Sequence, residues 1–260
     1  MENTFNPNEL ILDRIRSLTY HDLGTGELIM RMTSLEDVTL TTTAEGDEVT
    51  DAVGALITTI YRSKKAKLAG SNSVISLGLA GVQYGSDKEV ASATNKITDY
   101  TYEILQVVDG KVTLKHEPKD AVKYIYSINN REIGTTYTAG ATASETEFVI
   151  DGKEITVPTG LTGKIYVEYT YDAERAVRVK NDADKFPKAG SIVVYAYFKD
   201  VCNENLVYSG KIICPKAKIN PESIELALNS TGKHAFEFNM MKDYCSEENN
   251  ELFSIVVAES

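Results

Sequence analysis

The chain has 260 residues, 42% of them hydrophobic and 25% charged, an ordinary globular make-up that excludes a disordered or collagen-like chain. Its formal net charge of −11 and pI of ≈ 4.9 oppose a module that grips nucleic acid, because such a module must neutralise phosphates with Lys and Arg. The same balance suits a surface past which nucleic acid slides without sticking, although acidic charge that merely keeps a protein soluble is the commoner case.

The three cysteines, Cys202, Cys214 and Cys245, form no CxxC pair, so neither a disulfide framework nor a metal knuckle is expected. Free thiols made in a reducing cytoplasm are the expectation. The opening Met1-Glu2-Asn3-Thr4-Phe5 shows no basic segment followed by an apolar one, so no signal peptide is expected. No apolar run reaches the ~20 residues of a membrane span, so no membrane partner is expected. Tyr outnumbers Phe, 15 to 7, and Trp is absent; tyrosine on strands suits contact surfaces, apolar in the body and polar at the tip.

Residues 1–26 read as an N-terminal arm, with Pro7-Asn8 capping a short helix whose face carries Leu10, Ile11, Ile15 and Leu18. Such a helix is too short to stand alone and needs a partner surface, on its own domain or on a neighbour. From Glu27 the period becomes that of strands, over 27–32 and 37–43, followed by an acidic loop from Thr43 to Asp51 with Gly46-Asp47 as a turn signal. A strand over 54–61 leads into the cations Arg62, Lys64, Lys65 and Lys67, which read as a solvated strand edge or a salt-bridging contact more readily than as a phosphate site. Ser71-Asn72 offers an N-cap for a helix over 74–82 closed by Gly85, lying on a sheet where Gly78 and Gly81 permit close approach. The alternative, a phosphate loop, lacks the Lys-Ser/Thr that such a loop requires.

Residues 99–174 read as an inserted small β-sandwich. Strands fall at 100–108, 111–115, 124–128, 148–150, 154–157 and 164–171, with Asp109-Gly110 and Asp151-Gly152 as hairpin turns. Asn129-Asn130 and Gly134–Ser144 read as loops. Along the last strand Ile165, Val167, Tyr169 and Tyr171 alternate with Lys164, Tyr166, Glu168 and Thr170, predicting one buried face. After a polar joint strands resume at 191–198 and 206–214 as a long hairpin, then at 224–228, 235–240 and 252–257. Hairpins need partners, so 27–98 and 175–260 are expected to form one discontinuous β domain.

No residue set in the sequence points to catalysis, a cofactor or a metal. His21, His116 and His234 are scattered, without HExxH or HxH spacing, and each reads as a surface or hydrogen-bonded histidine. No GxSxG elbow exposes a serine nucleophile. The tight carboxylate clusters, Asp182/Asp184 and Glu247-Glu248, lie in polar stretches that read as solvated. Cys202 and Cys214 are expected to lie within reach of one hairpin, with no redox role implied. A carbohydrate-binding module would need aromatic platforms, and the lack of Trp weighs against one. The fold class expected is therefore mainly β, a sandwich or barrel with one short packing helix and an inserted smaller sandwich.

The order of strand, acidic loop, strand ending in Tyr61-Arg62-Ser63-Lys64-Lys65-Ala66-Lys67, capped small-residue helix, long hairpin and Pro215-Lys216-Ala217-Lys218-Ile219 resembles the major tail tube proteins of tailed bacteriophages and phage-like contractile particles. The most suggestive stretches are Ile60–Gly85 and Ile212–Val257, the latter with His234-Ala235-Phe236-Glu237-Phe238 and Asp243-Tyr244-Cys245. Val112-Thr113-Leu114 and Lys164–Tyr171 look like the immunoglobulin-like inserts of phage structural proteins. The resemblance implies a non-enzymatic virion protein that self-assembles into stacked, hexameric rings. Their merged barrels would form an acidic-lined tail tube that conducts DNA during ejection. Its implied partners are copies of itself and other tail proteins, with DNA only as passing cargo. Its implied place is the phage tail, assembled in the bacterial host cytoplasm, with the Thr43–Asp51 loop as an inter-ring contact. The insert is absent from simple tube proteins, which leaves a tail terminator, capsid or head-decoration role as the alternative.

Overall fold

The computed structural model describes residues 9–201, 205–221, 232–244 and 250–258. In chain order the elements are β1 (Leu10–Asp22), β2 (Leu28–Met32), β3 (Leu35–Thr50), β4 (Leu56–Asn72), α1 (Leu77–Tyr84), β5 (Glu89–Val90), β6 (Ile97–Gln106), β7 (Lys111–Thr113) and β8 (Tyr124–Asn129). They continue with β9 (Glu132–Ala139), β10 (Glu147–Asp151), β11 (Glu154–Thr156), β12 (Lys164–Ala173), β13 (Val177–Arg178), β14 (Ala189–Asp200), β15 (Val207–Ile219), β16 (His234–Met240) and β17 (Ser254–Ala258). The fold is mainly β with one helix among the described residues. Two compact units emerge, residues 1–88 with 179–260 and residues 89–178.

In the first unit one sheet runs in the order β2-β1-β14-β15-β16-β4-β3, with β17 also paired to β15. It curls into a nearly closed, barrel-like form in which β1 comes up against β3. Strict alternation writes the core: Ile192, Val194 and Ala196 of β14 point inward, as do Phe236, Phe238 and Met240 of β16. Tyr20, its ring tilted against that of Phe238 with centres 5.5 Å apart, joins Leu18, Met32, Leu68 and Ile219 in the same cluster. The Tyr20 hydroxyl satisfies itself by donating to Lys188 O at 2.8 Å, and burial pushes its pKa well up.

The expected N-terminal helix is a strand. Leu10–Asp22 pairs with β14 over its whole length, and register shifts between Leu12 and Arg14 and between Ile15 and Ser17 break the two-residue alternation. Those bulges leave the apolar residues at spacings that imitate a helix. The helix expected at 74–82 begins later, at Leu77, because Ser71 and Asn72 are still paired in β4. Its cap is Ser76, whose Oγ accepts from Leu79 N at 3.2 Å. Its C-terminal end is as read, Gly85 taking φ 67 in the left-handed region. Of the two glycines read as close-approach points, a Cβ at Gly81 would come within 2.9 Å of Ser86 O, whereas one at Gly78 would meet Met30 only at 3.6 Å. The strand expected at 224–228 lies outside the described residues.

In the second unit the strand order is β6-β12-β8-β9-β10-β11-β7 around a separate core of Ile125, Phe148, Ile155, Ile165 and Val167. β5 and β13 pair as a separate two-stranded sheet, tied by Arg178 to Glu89 at 2.6 Å. Asp109 and Gly110 (φ 50 and 75) turn the chain between Val108 and Lys111 as the Asp-Gly signal predicts, and Gly152 (φ 56) does so between Asp151 and Glu154. Glu132–Ala139, read in part as a loop, is a strand instead. Asn130 and Arg131 (φ 49 and 74) form a tight hairpin turn from β8 into β9. Gly134 lies so close to β8 that a Cβ there would be 2.6 Å from Ser127 Oγ.

Candidate assembly surface

The residues on which chemistry would depend are placed apart and occupied structurally. His234 is fully buried; its Nδ1 accepts from Ser76 N at 3.3 Å and its Nε2 lies 2.7 Å from Gln83 Oε1. That geometry requires the Nε2–H tautomer, donating to Gln83, whose own amide donates to Ala235 O at 2.8 Å. Burial lowers the His234 pKa. His116 stacks on Tyr171 with ring centres 4.0 Å apart, and His21 is half-buried in β1. Cys214 is buried, its thiol donates to Lys216 O, and burial pushes its pKa to about 11, which leaves it unreactive. Cys202, Cys245, Glu247 and Glu248 lie outside the described residues. Asp182 holds Lys185 at 2.7 Å while Asp184 is exposed. Among the described residues no three His, Cys, Asp or Glu side chains gather as metal ligands.

What stands out is the β3–β4 hairpin. Thr43–Asp51, read as a loop, belongs almost wholly to β3, and the turn lies at 51–55. There Asp51 Oδ1 accepts from Val53 N and Ala55 N at 3.0 and 2.7 Å, with Gly54 at φ 86. Gly46 sits within the strand, not at a turn, opposite Tyr61; a Cβ on it would approach the Tyr61 ring to 3.1 Å and the Thr59 methyl to 2.7 Å. The acidic run holds a strand because its charges pair across to the basic one, Glu45 with Lys65 at 2.7 Å and Asp47 with Arg62 at 3.4 Å. Lys67 reaches Glu237 of β16 at 3.1 Å. These pairs are exposed, so each adds little stability, but together they set the register.

The end of this hairpin carries apolar side chains with no cover: Val53 is 90% exposed, Tyr61 73%, Ile57 64% and Leu56 59%. A second uncovered set, Ile11, Leu12, Ile255 and Val256, lies on β1 and β17. The adjoining backbone is also open. Among the described residues, Leu10–Ser17 of β1 has a strand neighbour on the β14 side only, since β2 pairs from Leu18 onward. Among the described residues β17 pairs with β15 alone, and β3 is an edge strand. Unpaired strand edges beside uncovered apolar residues are a template for addition of another chain. Sequence reading located the charges of the hairpin but missed its length, because a two-sided exposed strand shows no alternation.

A barrel-like β unit with open strand edges beside uncovered apolar side chains is suited to pairing with other chains. The YomU/Tube protein family model matches residues 11–255, and the chain belongs to that family. It is a phage tube structural protein and so a virion component, in keeping with the resemblance to tail tube proteins. No individual curated protein matches it.

Proposed function

We propose that the chain polymerises into the phage tail tube, its first unit closing into rings with sister subunits and its β3–β4 hairpin reaching the next ring in the stack. The observation that carries this reading is the hairpin itself, a long, two-stranded arm with uncovered Leu56, Ile57 and Tyr61 at its end. A lone hairpin is marginal in water, so an arm of this length implies a surface that receives it. Head-to-tail contacts of this kind generate stacks, while lateral pairing of the β1 and β17 edges generates rings if the rotation closes. Six-fold closure follows from the tail tube resemblance. An interior rich in carboxylates, drawn from a chain of net charge −11, would repel phosphates and let DNA pass as cargo during ejection. Assembly would proceed in the bacterial host cytoplasm, together with other tail proteins.

Electron microscopy of the purified protein over a range of concentrations tests this. Rings and stacked tubes with a central channel are expected. Monodisperse single subunits at every concentration would overturn the proposal.

A further inference from the structure

The second unit presents an unusual outer face. The strands that bury Ile125, Ile165 and Val167 on one side carry Tyr100 and Tyr102 of β6, Tyr124 and Tyr126 of β8 and Tyr166 of β12 on the other. The outward face of a half-buried antiparallel sheet is ordinarily polar. Here Tyr100 and Tyr102 are 64% and 62% exposed, and Tyr102 and Tyr126 flank Tyr166 at ring separations of 5.5 and 6.1 Å. At the centre stands Glu168, which accepts hydrogen bonds from the Tyr100 hydroxyl at 2.5 Å and from the Tyr166 hydroxyl. Those two donors lower its pKa, so it is a carboxylate at neutral pH.

This face is dented by a cleft of about 250 Å³. One wall is aromatic, from Tyr100, Tyr124 and Tyr126; the other is polar, from Glu168, Asp120 and Lys123. Asp120 is oriented by the Thr170 hydroxyl at 2.7 Å. The two walls together restrict the ligand. Against the single cation Lys123, the carboxylates of Asp120 and Glu168 leave the lining net negative, which disfavours a phosphate or other anion. A bare hydrocarbon, or the apolar patch of another protein, would strip water from those carboxylates and return no hydrogen bonds, a costly exchange. A pyranose ring satisfies both walls: its C–H face lies against tyrosine rings, and its hydroxyls donate to carboxylates that can only accept. Concave sites with apolar walls and a few convergent polar groups are where small ligands bind.

We propose that the cleft bounded by Tyr100, Tyr124, Asp120 and Glu168 binds a neutral sugar residue of a glycan chain. The lack of Trp, which weighs against a carbohydrate site in the sequence, is offset here by Tyr100, Tyr124 and Tyr126, which gather on one cleft. This proposal rests on residues of the second unit alone and stands or falls without the tube contacts proposed for the first.

The test is binding of the full-length protein to a printed array of neutral hexose and N-acetylhexosamine oligosaccharides, with acidic oligosaccharides, a choline conjugate and a proline-rich peptide alongside. Tyr124→Ala and Glu168→Gln are compared with wild type, and Tyr244→Ala, an exposed tyrosine of the other unit, serves as control. Circular dichroism and melting confirm folding, and Glu168→Gln, which keeps the side-chain volume, provides a second variant independent of the packing lost in Tyr124→Ala. Neutral oligosaccharides are expected to bind wild type and Tyr244→Ala alike, with affinity at least about ten-fold lower in both cleft variants, the loss of roughly one hydrogen bond or ring contact. Overturning results are no neutral oligosaccharide held above the level of the Tyr124→Ala variant, hits indifferent to both cleft changes, or preference for the choline conjugate or the peptide.

Discussion

Replacing Ile57 and Tyr61 by aspartate separates assembly from folding. Both side chains are mostly uncovered in the subunit, 64% and 73% exposed, so the fold loses almost no burial when they change. Covering an aliphatic side chain completely is worth about 1.5–3 kcal/mol, so covering the free part of Ile57 contributes roughly 1–2 kcal/mol to each inter-ring contact. Tyr61 adds a similar amount. The aspartates remove both terms and set carboxylates against the receiving surface, which costs several further kcal/mol if they are desolvated. At about 1.4 kcal/mol per factor of ten, the double variant should raise the concentration needed for stacking by at least roughly 100-fold. Sedimentation velocity reads the assembly, with negative-stain imaging to show whether rings persist without stacking. Thermal melting at low concentration is expected to stay within about 2 °C of wild type, as for surface substitutions. Tubes forming at the wild-type concentration would refute the role given to the hairpin.

Other consequences follow from the cores. His234 is held neutral by burial, so its folded pKa lies below its unfolded value near ~6.5; its stabilisation is complete above that value and is lost as pH falls through the folded pKa, with a slope of at most about 1.4 kcal/mol per pH unit. Urea unfolding of wild type between pH 7.5 and 5 should show this loss superimposed on that of the carboxylates, and His234→Gln should remove the His component while lowering stability at pH 7.5. Gly85→Ala forces a side chain into φ 67 with its Cβ 2.2 Å from Phe186 O, and should cost at least ~2 kcal/mol in the urea midpoint. Phe238→Ala empties the centre of the first core and breaks its contacts with Tyr20 and Phe236, at a cost of about 3–5 kcal/mol. Cys214 should resist thiol reagents in the native protein, mass spectrometry finding it labelled only after urea unfolding.

Much of the strand pattern was legible in the chain because burial on one face imposes a period of two. The strands at 191–198 and 235–240 and the buried face of Ile165, Val167 and Tyr169 read correctly, as did the turns at Asp109-Gly110 and Asp151-Gly152, whose backbone angles depend on local chemistry alone. The failures share one cause, a pairing that overrides the local signal. Leu10–Asp22 imitates a helix because two bulges shift its register against β14, and only the partner strand reveals them. Thr43–Thr50 has charges where a strand usually has alternation, and is held extended by Arg62 and Lys65 opposite. Glu132–Ala139 follows an Asn-Arg turn that looked like the start of a loop.

The assembly surface and the tyrosine cleft were less legible for the same reason. Composition announced a tyrosine-rich, acidic chain, but not that Tyr100 of β6 and Tyr124 and Tyr126 of β8 would meet Glu168 of β12 on one face. Sequence by itself determined which residues must leave water, since that depends on their side chains and their local period. Which strand edges remain unpaired, and which outward residues become neighbours, is a property of register between segments distant in the chain, and only the tertiary structure decided it.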